Sequence, residues 1–160
     1  MARTTTPAQI IVPTFYRLFF LLIEPISALV GAYFAHFQPQ TYLRLTHSAS
    51  APGNTIPTGT RVVLSQLANL YLLFAINEAL VLRSTSDLRV WRTLLLGLLF
   101  ADLGHLYSVR ELGVDVYWKI YHWSPMDWGN IGFVYVGAMM RIAFLCNIAV
   151  PISVKNGVKY

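Results

Sequence analysis

Four long apolar runs alternate with polar connections along the chain. They cover about residues 13–37, 60–82, 88–109 and 128–150, and only a few polar residues interrupt each of them. A helix needs roughly 20 predominantly apolar residues to cross a bilayer, and all four runs reach that length. The pattern predicts an all-α fold in which residues 1–160 form a single transmembrane domain, an integral membrane four-helix bundle.

The connections between the runs differ in length and in composition. Residues 38–59 are rich in Gly, Pro and Ser, which is typical of an exposed loop, and loops of this length are often lids or binding loops. Residues 83–87 are so few that the flanking runs must be antiparallel neighbours. Residues 110–130 are crowded with Tyr and Trp, which favour the membrane interface. We expect this third connection to lie on the bilayer and to cover part of the bundle mouth.

Composition agrees with a membrane protein and excludes several other classes. The chain is 56% hydrophobic and 12% charged, about half the charged share of a soluble domain. The net charge is +5, but the basic residues lie singly or in pairs at the ends of apolar runs, so no nucleic-acid partner is expected. Cys146 is the only cysteine, which excludes an internal disulfide or CxxC pair. The four-span quinone and vitamin K epoxide reductases, which need such pairs, are therefore disfavoured.

The basic residues also predict an orientation. With four spans, both termini and the second connection share one side, which carries seven Lys or Arg against four on the other side. Because cytoplasmic loops are enriched in Lys and Arg, we expect cytoplasmic termini and an endoplasmic reticulum location. Residues 1–12 lack the features of a cleaved signal peptide, so the first run would be its own signal anchor. The seven basic residues on the side of the termini are Arg3, Arg17, Arg83, Arg89, Arg92, Lys155 and Lys159.

Ionisable residues inside the apolar runs are the strongest functional signal. Glu24 lies in the first run, Glu78 in the second, Asp102 and His105 in the third, and Arg141 in the fourth. A charge at the bilayer centre costs about 2.5 to 3.5 kcal/mol and normally faces a partner inside the bundle. Helical rise places Glu24 and Arg141 near the midplane, Glu78 towards the cytoplasm, and Asp102 with His105 towards the lumen. The sequence thus predicts a column of polar groups across the bundle.

Amide and tryptophan side chains are candidates for contact with a substrate. Asn69 and Asn77 share one helical face with Gln66, and this face should look into the bundle. Hydrogen bonding between helices is the more common role of such asparagines. Three tryptophans near the third connection are candidate walls of the site, or membrane anchors: Trp118, Trp123 and Trp128.

Carboxyl groups in unlike environments suit acid and base catalysis on a lipophilic molecule. We expect Asp102, oriented by His105, to act as the base, Glu24 or Glu78 as the acid, and Arg141 to set their protonation, although acid and base are exchangeable. Such an acid and base could catalyse either the opening of an epoxide or the protonation of an alkene. A structural interpretation stands beside this one, in which Glu24 pairs with Arg141 and Asp102 with His105 only to hold the helices.

The sequence carries no signature of metal, nucleotide or serine-hydrolase chemistry. It contains no metal-ligand spacing, no Gly-rich phosphate loop and no nucleophile elbow. We therefore expect no cofactor and no metal. The expected partners are a lipophilic small-molecule substrate and membrane lipids, and a homo-oligomer is left open.

Three segments carry a resemblance to a known family. IEPISALVGAYFAHFQPQTYLRLT, FAINEALVLRSTSDLRVWRTLL and FADLGHLYS resemble small fungal four-span integral membrane proteins, over nearly the whole chain. The resemblance implies a helical bundle from a filamentous fungus, and some members lie in secondary-metabolite gene clusters. It extends to membrane epoxide hydrolases of polyene-pyrone pathways of the aurovertin and citreoviridin type. It supplies no catalytic motif.

Other membrane families fit less well. Sterol isomerase-like enzymes and fungal membrane terpene cyclases also use intramembrane carboxylates, but the cyclases have about seven spans. Trimeric glutathione-transferring enzymes have four spans, yet their Arg-rich and His-rich motif is not evident in residues 61–83. A non-catalytic lipid-binding or scaffold protein is the alternative outside enzymes. We predict a membrane-embedded epoxide hydrolase or cyclase acting on a lipophilic fungal secondary metabolite.

Overall fold

The computed structural model describes residues 12–51, 53 and 55–150, and this part of the chain is mainly helical, without a strand. Short 3₁₀ turns fill most of the connection after the fourth helix. The basic residues Arg3, Lys155 and Lys159, used to predict the orientation, lie outside the described residues. The five helices are α1 (Thr14–Phe37), α2 (Pro39–Thr46), α3 (Thr58–Val81), α4 (Leu88–Ser108) and α5 (Pro125–Leu145).

Three of these helices, α1, α3 and α5, are long and apolar enough to cross a membrane. They correspond to the first, second and fourth predicted runs. Helix α4 has 21 residues, which is enough length for a span. It contains Arg89, Arg92, Asp102 and His105, and these polar side chains lower its mean hydropathy.

The first connection contains a helix that the sequence pattern did not predict. Pro39 begins α2, where its fixed φ and missing N–H are tolerated. Tyr42 on α2 is buried and belongs to a cluster with Ala35, Leu64 and Ala68, so α2 packs across α1 and α3. Only the following residues, including the exposed turn Ser48–Ser50, form the predicted loop.

Helix α5 is shifted relative to the predicted fourth span. It begins with a capping box between Ser124 and Asp127 and ends at Leu145 rather than near residue 150. Asn147 has a φ of 62°, and Asn tolerates this left-handed conformation better than most residues. The N–H of Ile148 then donates to the carbonyl of Ala143 at 2.9 Å, which is the bond of a Schellman motif. Asn147, expected inside the span, therefore lies beyond it.

The inward face of α3 differs from the predicted one. Gln66 and Asn69 are exposed, so the prediction that their face looks into the bundle is wrong. The buried positions are Leu64, Ala68, Ala75 and Glu78, and the small residues among them let the helix approach α1 closely.

An aromatic cluster forms the core at one end of the bundle. The ring of Phe144 lies edge-on to Tyr16 at 5.1 Å and stacks on Trp91 at 5.8 Å. The Tyr16 hydroxyl donates to the carbonyl of Ile148 at 2.9 Å. Because these contacts join α1, α4 and α5, the core holds the turn after α5 in place.

Replacing Phe144 with Ala should lower the free energy of unfolding by about 3 kcal/mol, the scale for losing a buried phenyl ring. Phe100→Ala is the matched control, because Phe100 is 67% exposed on α4 and should change stability little. The measurement is thermal unfolding in detergent micelles. Equal loss in both variants would contradict the assigned core.

Candidate active site

One arginine lies between three carboxylates in the interior of the bundle. Arg141 on α5 donates from Nη1 to Asp102 Oδ2 on α4 at 2.7 Å. Its Nη2 donates to Glu78 Oε1 on α3 at 3.1 Å and also to Glu24 Oε1 on α1. A single guanidinium group therefore joins all four long helices. We call Glu24, Glu78, Asp102 and Arg141 the Arg141 cluster.

The Arg141 cluster is almost fully removed from the surface. The side chains of Arg141 and Glu78 are 3% and 1% exposed, whereas Glu24 and Asp102 are each 13% exposed. Glu24 Oε2 and Glu78 Oε2 have no hydrogen-bond partner among the described residues. Buried polar atoms are normally paired, so an unpaired oxygen on each of two neighbouring carboxyl groups is an unusual feature of this cluster.

Gly137 makes room for the guanidinium group one helical turn before Arg141. A Cβ at this position would lie 2.7 Å from Arg141 Nη1 and 3.4 Å from Glu24 Oε1. Because the contact with Arg141 Nη1 is too short, no larger residue fits without displacing the guanidinium group. Gly137 is therefore part of the structural basis of the cluster.

A cavity of about 390 Å³ opens beside the Arg141 cluster, and all five helices line it. This volume is within the usual range for small-molecule sites, which are mostly apolar with a few convergent polar groups. Apolar side chains such as Phe34, Phe74, Leu98 and Phe133 form much of its wall. The other polar lining residues are Ser27, Tyr42, Tyr71, His105 and Asn130.

His105 lines the same cavity but does not pair with Asp102. Its Nε2 lies 2.8 Å from the carbonyl oxygen of Asn130 on α5, and because a carbonyl only accepts, Nε2 carries the proton. In the neutral imidazole, Nδ1 then holds a lone pair and can accept a proton. The predicted Asp102–His105 pair is therefore wrong. Asp102 pairs with Arg141 instead, and His105 pairs with the carbonyl of Asn130.

The structure brings together all five side chains that the sequence singled out for catalysis: Glu24, Glu78, Asp102, His105 and Arg141 all line this cavity. The predicted separation in depth is wrong, because three carboxylates meet one guanidinium group. Helix α5 ends at Leu145, so Arg141 lies only four residues from its end and reaches Glu78, three residues from the end of α3.

The side chains predicted to contact a substrate are not brought to this cavity. Asn69 is exposed, and Asn77 lines a separate groove between α3 and α4. Trp118 and Trp128 are 60% and 55% exposed. The Nε1 of Trp123 donates to the carbonyl of Val116 at 2.7 Å. These tryptophans lie where interfacial anchors are expected, around the connection before α5.

The sequence pattern of a family described as a domain of unknown function, DUF7704, matches residues 9–151. The chain belongs to the DUF7704 family. No curated protein and no solved structure matches the chain. The matched stretch contains all five helices, so the Arg141 cluster and its cavity lie entirely within the DUF7704 region. The description of the DUF7704 family states no activity. The relationship to epoxide hydrolases therefore stays a prediction.

Three residues of this DUF7704 site were not predicted from the sequence. Tyr71 lies seven residues before Glu78, and Gly137 lies four residues before Arg141, so helical spacing places each on the face of an ionisable residue. This helical spacing is the sequence feature from which Tyr71 and Gly137 could have been predicted. Tyr42 lies on α2, which had been assigned to a loop, and no pattern indicated it. Burial raises the pKa of the Tyr42 hydroxyl, so it is neutral and can donate a hydrogen bond.

Gly137→Ala should displace the Arg141 guanidinium group and lower stability by about 1 to 3 kcal/mol, the usual cost of overpacking. Gly97→Ala on α4 is the control, because a Cβ there meets nothing within 4 Å and Ala favours a helix. Thermal unfolding in detergent compares the two. An unchanged midpoint for Gly137→Ala would show that the guanidinium group does not need this space.

Proposed function

We propose that the chain is a four-span membrane enzyme that opens an epoxide on a lipophilic small molecule by acid and base catalysis. The observation that carries this proposal is the Arg141 cluster, in which three carboxylates share one guanidinium group beside a cavity of small-molecule size. The resemblance to small fungal four-span proteins supports a secondary metabolite as the substrate.

The charge balance of the cluster favours this chemistry. One guanidinium group neutralises one carboxylate, and two further negative charges in a water-poor interior would be costly. The net charge is smallest when two of the three carboxyl groups carry a proton. A protonated acid and a carboxylate base then lie side by side, which is the arrangement that acid and base catalysis needs.

The positions of the carboxyl groups suggest their roles. Glu24 and Asp102 are held by different nitrogens of Arg141 and are the two partly exposed members, whereas Glu78 lies deepest. In the proposed step a water oxygen attacks an epoxide carbon, and the carbon–oxygen bond breaks. Glu24 protonates the released oxygen while Asp102 takes the water proton, which gives a vicinal diol. Glu78 stays protonated, so that Asp102 alone balances the charge of Arg141, and His105 Nδ1 is the alternative base.

The four-span arrangement includes α4 as a membrane helix. Its large exposed residues Leu96, Phe100, Leu103 and Tyr107 recur at helical spacing on one face, which suits contact with lipid. Asp102 faces Arg141 on the inner side. With both termini in the cytoplasm, as the basic residues predict, the connection 83–87 is cytoplasmic and the connection before α5 is lumenal.

Cysteine labelling in intact microsomes tests this topology. In a Cys146→Ser background, Ser86→Cys should react with a membrane-impermeant maleimide, whereas Tyr121→Cys should react only after the vesicles are opened. Tyr121 is 94% exposed, so burial does not explain protection. Ser50→Cys, placed on the same side as Tyr121, is the control. Reaction of Ser86→Cys and Tyr121→Cys from the same side would show that α4 does not span.

Turnover of lipophilic epoxides by microsomes containing the chain tests the catalytic proposal. Glu24→Gln and Asp102→Asn should each lower conversion by about 100-fold, the scale for loss of an acid or base. Glu111→Gln is the control, because Glu111 is exposed and, among the described residues, forms its one ion pair with Arg110. Diol formation is measured by mass spectrometry with variants that accumulate equally.

A different outcome would favour the structural interpretation. If the parent converts no epoxide, and Glu24→Gln, Asp102→Asn and Glu78→Gln all lose stability together, the cluster serves to hold the helices. Loss of stability is expected in that case because each change leaves part of a buried charge network unpaired. The assignment of catalytic roles would then be wrong.

A further inference from the structure

We propose that the hydroxyl groups of Tyr42 and Tyr71 form a second binding subsite in the cavity, which anchors an acceptor oxygen, such as a carbonyl, of the lipophilic substrate. The proposal rests on the proposed function for the reacting end of that substrate. It adds a chemical requirement at the other end, namely an oxygen at a fixed distance from the reactive group.

The hydroxyl pair has an unused donor. Tyr42 Oη and Tyr71 Oη lie 3.1 Å apart, so one hydroxyl donates to the other. Neither hydroxyl has another hydrogen-bond partner among the described residues, which leaves one of the two hydrogens free. Both side chains line the cavity. A carbonyl oxygen that reached this end would complete the pair.

Packing on both sides fixes the direction of the two rings. A Cβ on Gly31 of α1 would lie 3.3 Å from the ring of Tyr71, so this ring lies close against the α1 backbone. Tyr42 is 8% exposed and packs with Ala35, Leu64 and Ala68. The hydroxyl groups therefore cannot turn away from each other without unpacking α2, and the subsite is preorganised.

The spacing along α3 gives the length of the ligand. Tyr71 and Glu78 are seven residues apart on the same helical face, which corresponds to roughly 10 Å at the rise of an α-helix. Glu78 shares the Arg141 guanidinium group with the proposed acid Glu24 and the proposed base Asp102. Apolar residues such as Phe74 and Leu98 line the cavity together with these two polar ends. The fitting ligand is thus an apolar molecule with a carbonyl oxygen at one end and the reactive group roughly 10 Å away.

Two synthetic probes test the subsite. One is an epoxide joined by a polymethylene spacer to a ketone about 10 Å away, matching the spacing along α3. The other is the epoxyalkane of equal length without the ketone. The dissociation constant of each is measured by ligand-induced thermal stabilisation of the purified protein in detergent. We expect the parent to bind the epoxy ketone about five-fold more tightly, since one hydrogen bond contributes about 1 kcal/mol.

Replacing both hydroxyl groups, in the double variant Tyr42→Phe/Tyr71→Phe, should remove this preference for the ketone, because either hydroxyl alone would keep a hydrogen that it could donate. Tyr135→Phe is the control, because its hydroxyl donates to the carbonyl of Tyr117 and the residue does not line the cavity. Equal binding of the two probes by the parent, or a preference that survives in the double variant, would overturn the subsite.

Binding and turnover separate this proposal from the catalytic one. A ketone preference that depends on the Tyr42 and Tyr71 hydroxyl groups, without conversion of either epoxide, would support the subsite and reject the proposed reaction. Conversion of both probes with no ketone preference would support the reaction and reject the subsite.

Discussion

The Arg141 guanidinium group binds carboxylates from three other helices, and the rest of the structure depends on that interaction. Arg141 cannot be left alone in the interior, because an unpaired buried charge costs several kcal/mol. Its two terminal nitrogens are shared among Glu24, Glu78 and Asp102. The four long helices must therefore approach one another at a single point, and Gly137 provides the space there.

Holding the helices together does not explain the composition of this cluster. One carboxylate would neutralise one arginine, yet three are present, and two of their oxygens have no partner among the described residues. A membrane interior penalises such a surplus of polar groups. Natural proteins break rules of this kind mainly at functional sites, and the proposed reaction in the neighbouring cavity would use the additional carboxyl groups.

Much of this arrangement could be predicted from single residues and their spacing. The apolar runs predicted the four long helices to within a few residues, and the ionisable residues within them proved to share one cavity. The geometry of these ionisable residues depends on where each helix ends and which face it buries. Hydrophobic periodicity alone does not indicate either feature. The left-handed Asn147 ends α5 early. Arg141 is therefore four residues from the end of its helix, and Glu78 is three residues from the end of α3. Asn69 was placed on the wrong face because the small residues Ala68 and Ala75, not the amides, make the close contact.

Three π-helical segments, whose turns are wider than those of an α-helix, border the site. The sequence pattern did not predict them. Phe19–Ile23 directly precedes Glu24, Asn77–Val81 contains Glu78, and Trp128–Gly132 lies across from His105. Segments of this kind are frequent at functional sites, and they turn side chains away from the directions that a regular helix would give. Two of them receive side-chain donors from elsewhere in the chain, since Arg83 in the connection after α3 donates to Leu21 at 3.0 Å and His105 on α4 donates to Asn130. These bonds satisfy carbonyl groups at irregular turns, and one of the two donors, His105, also lines the cavity.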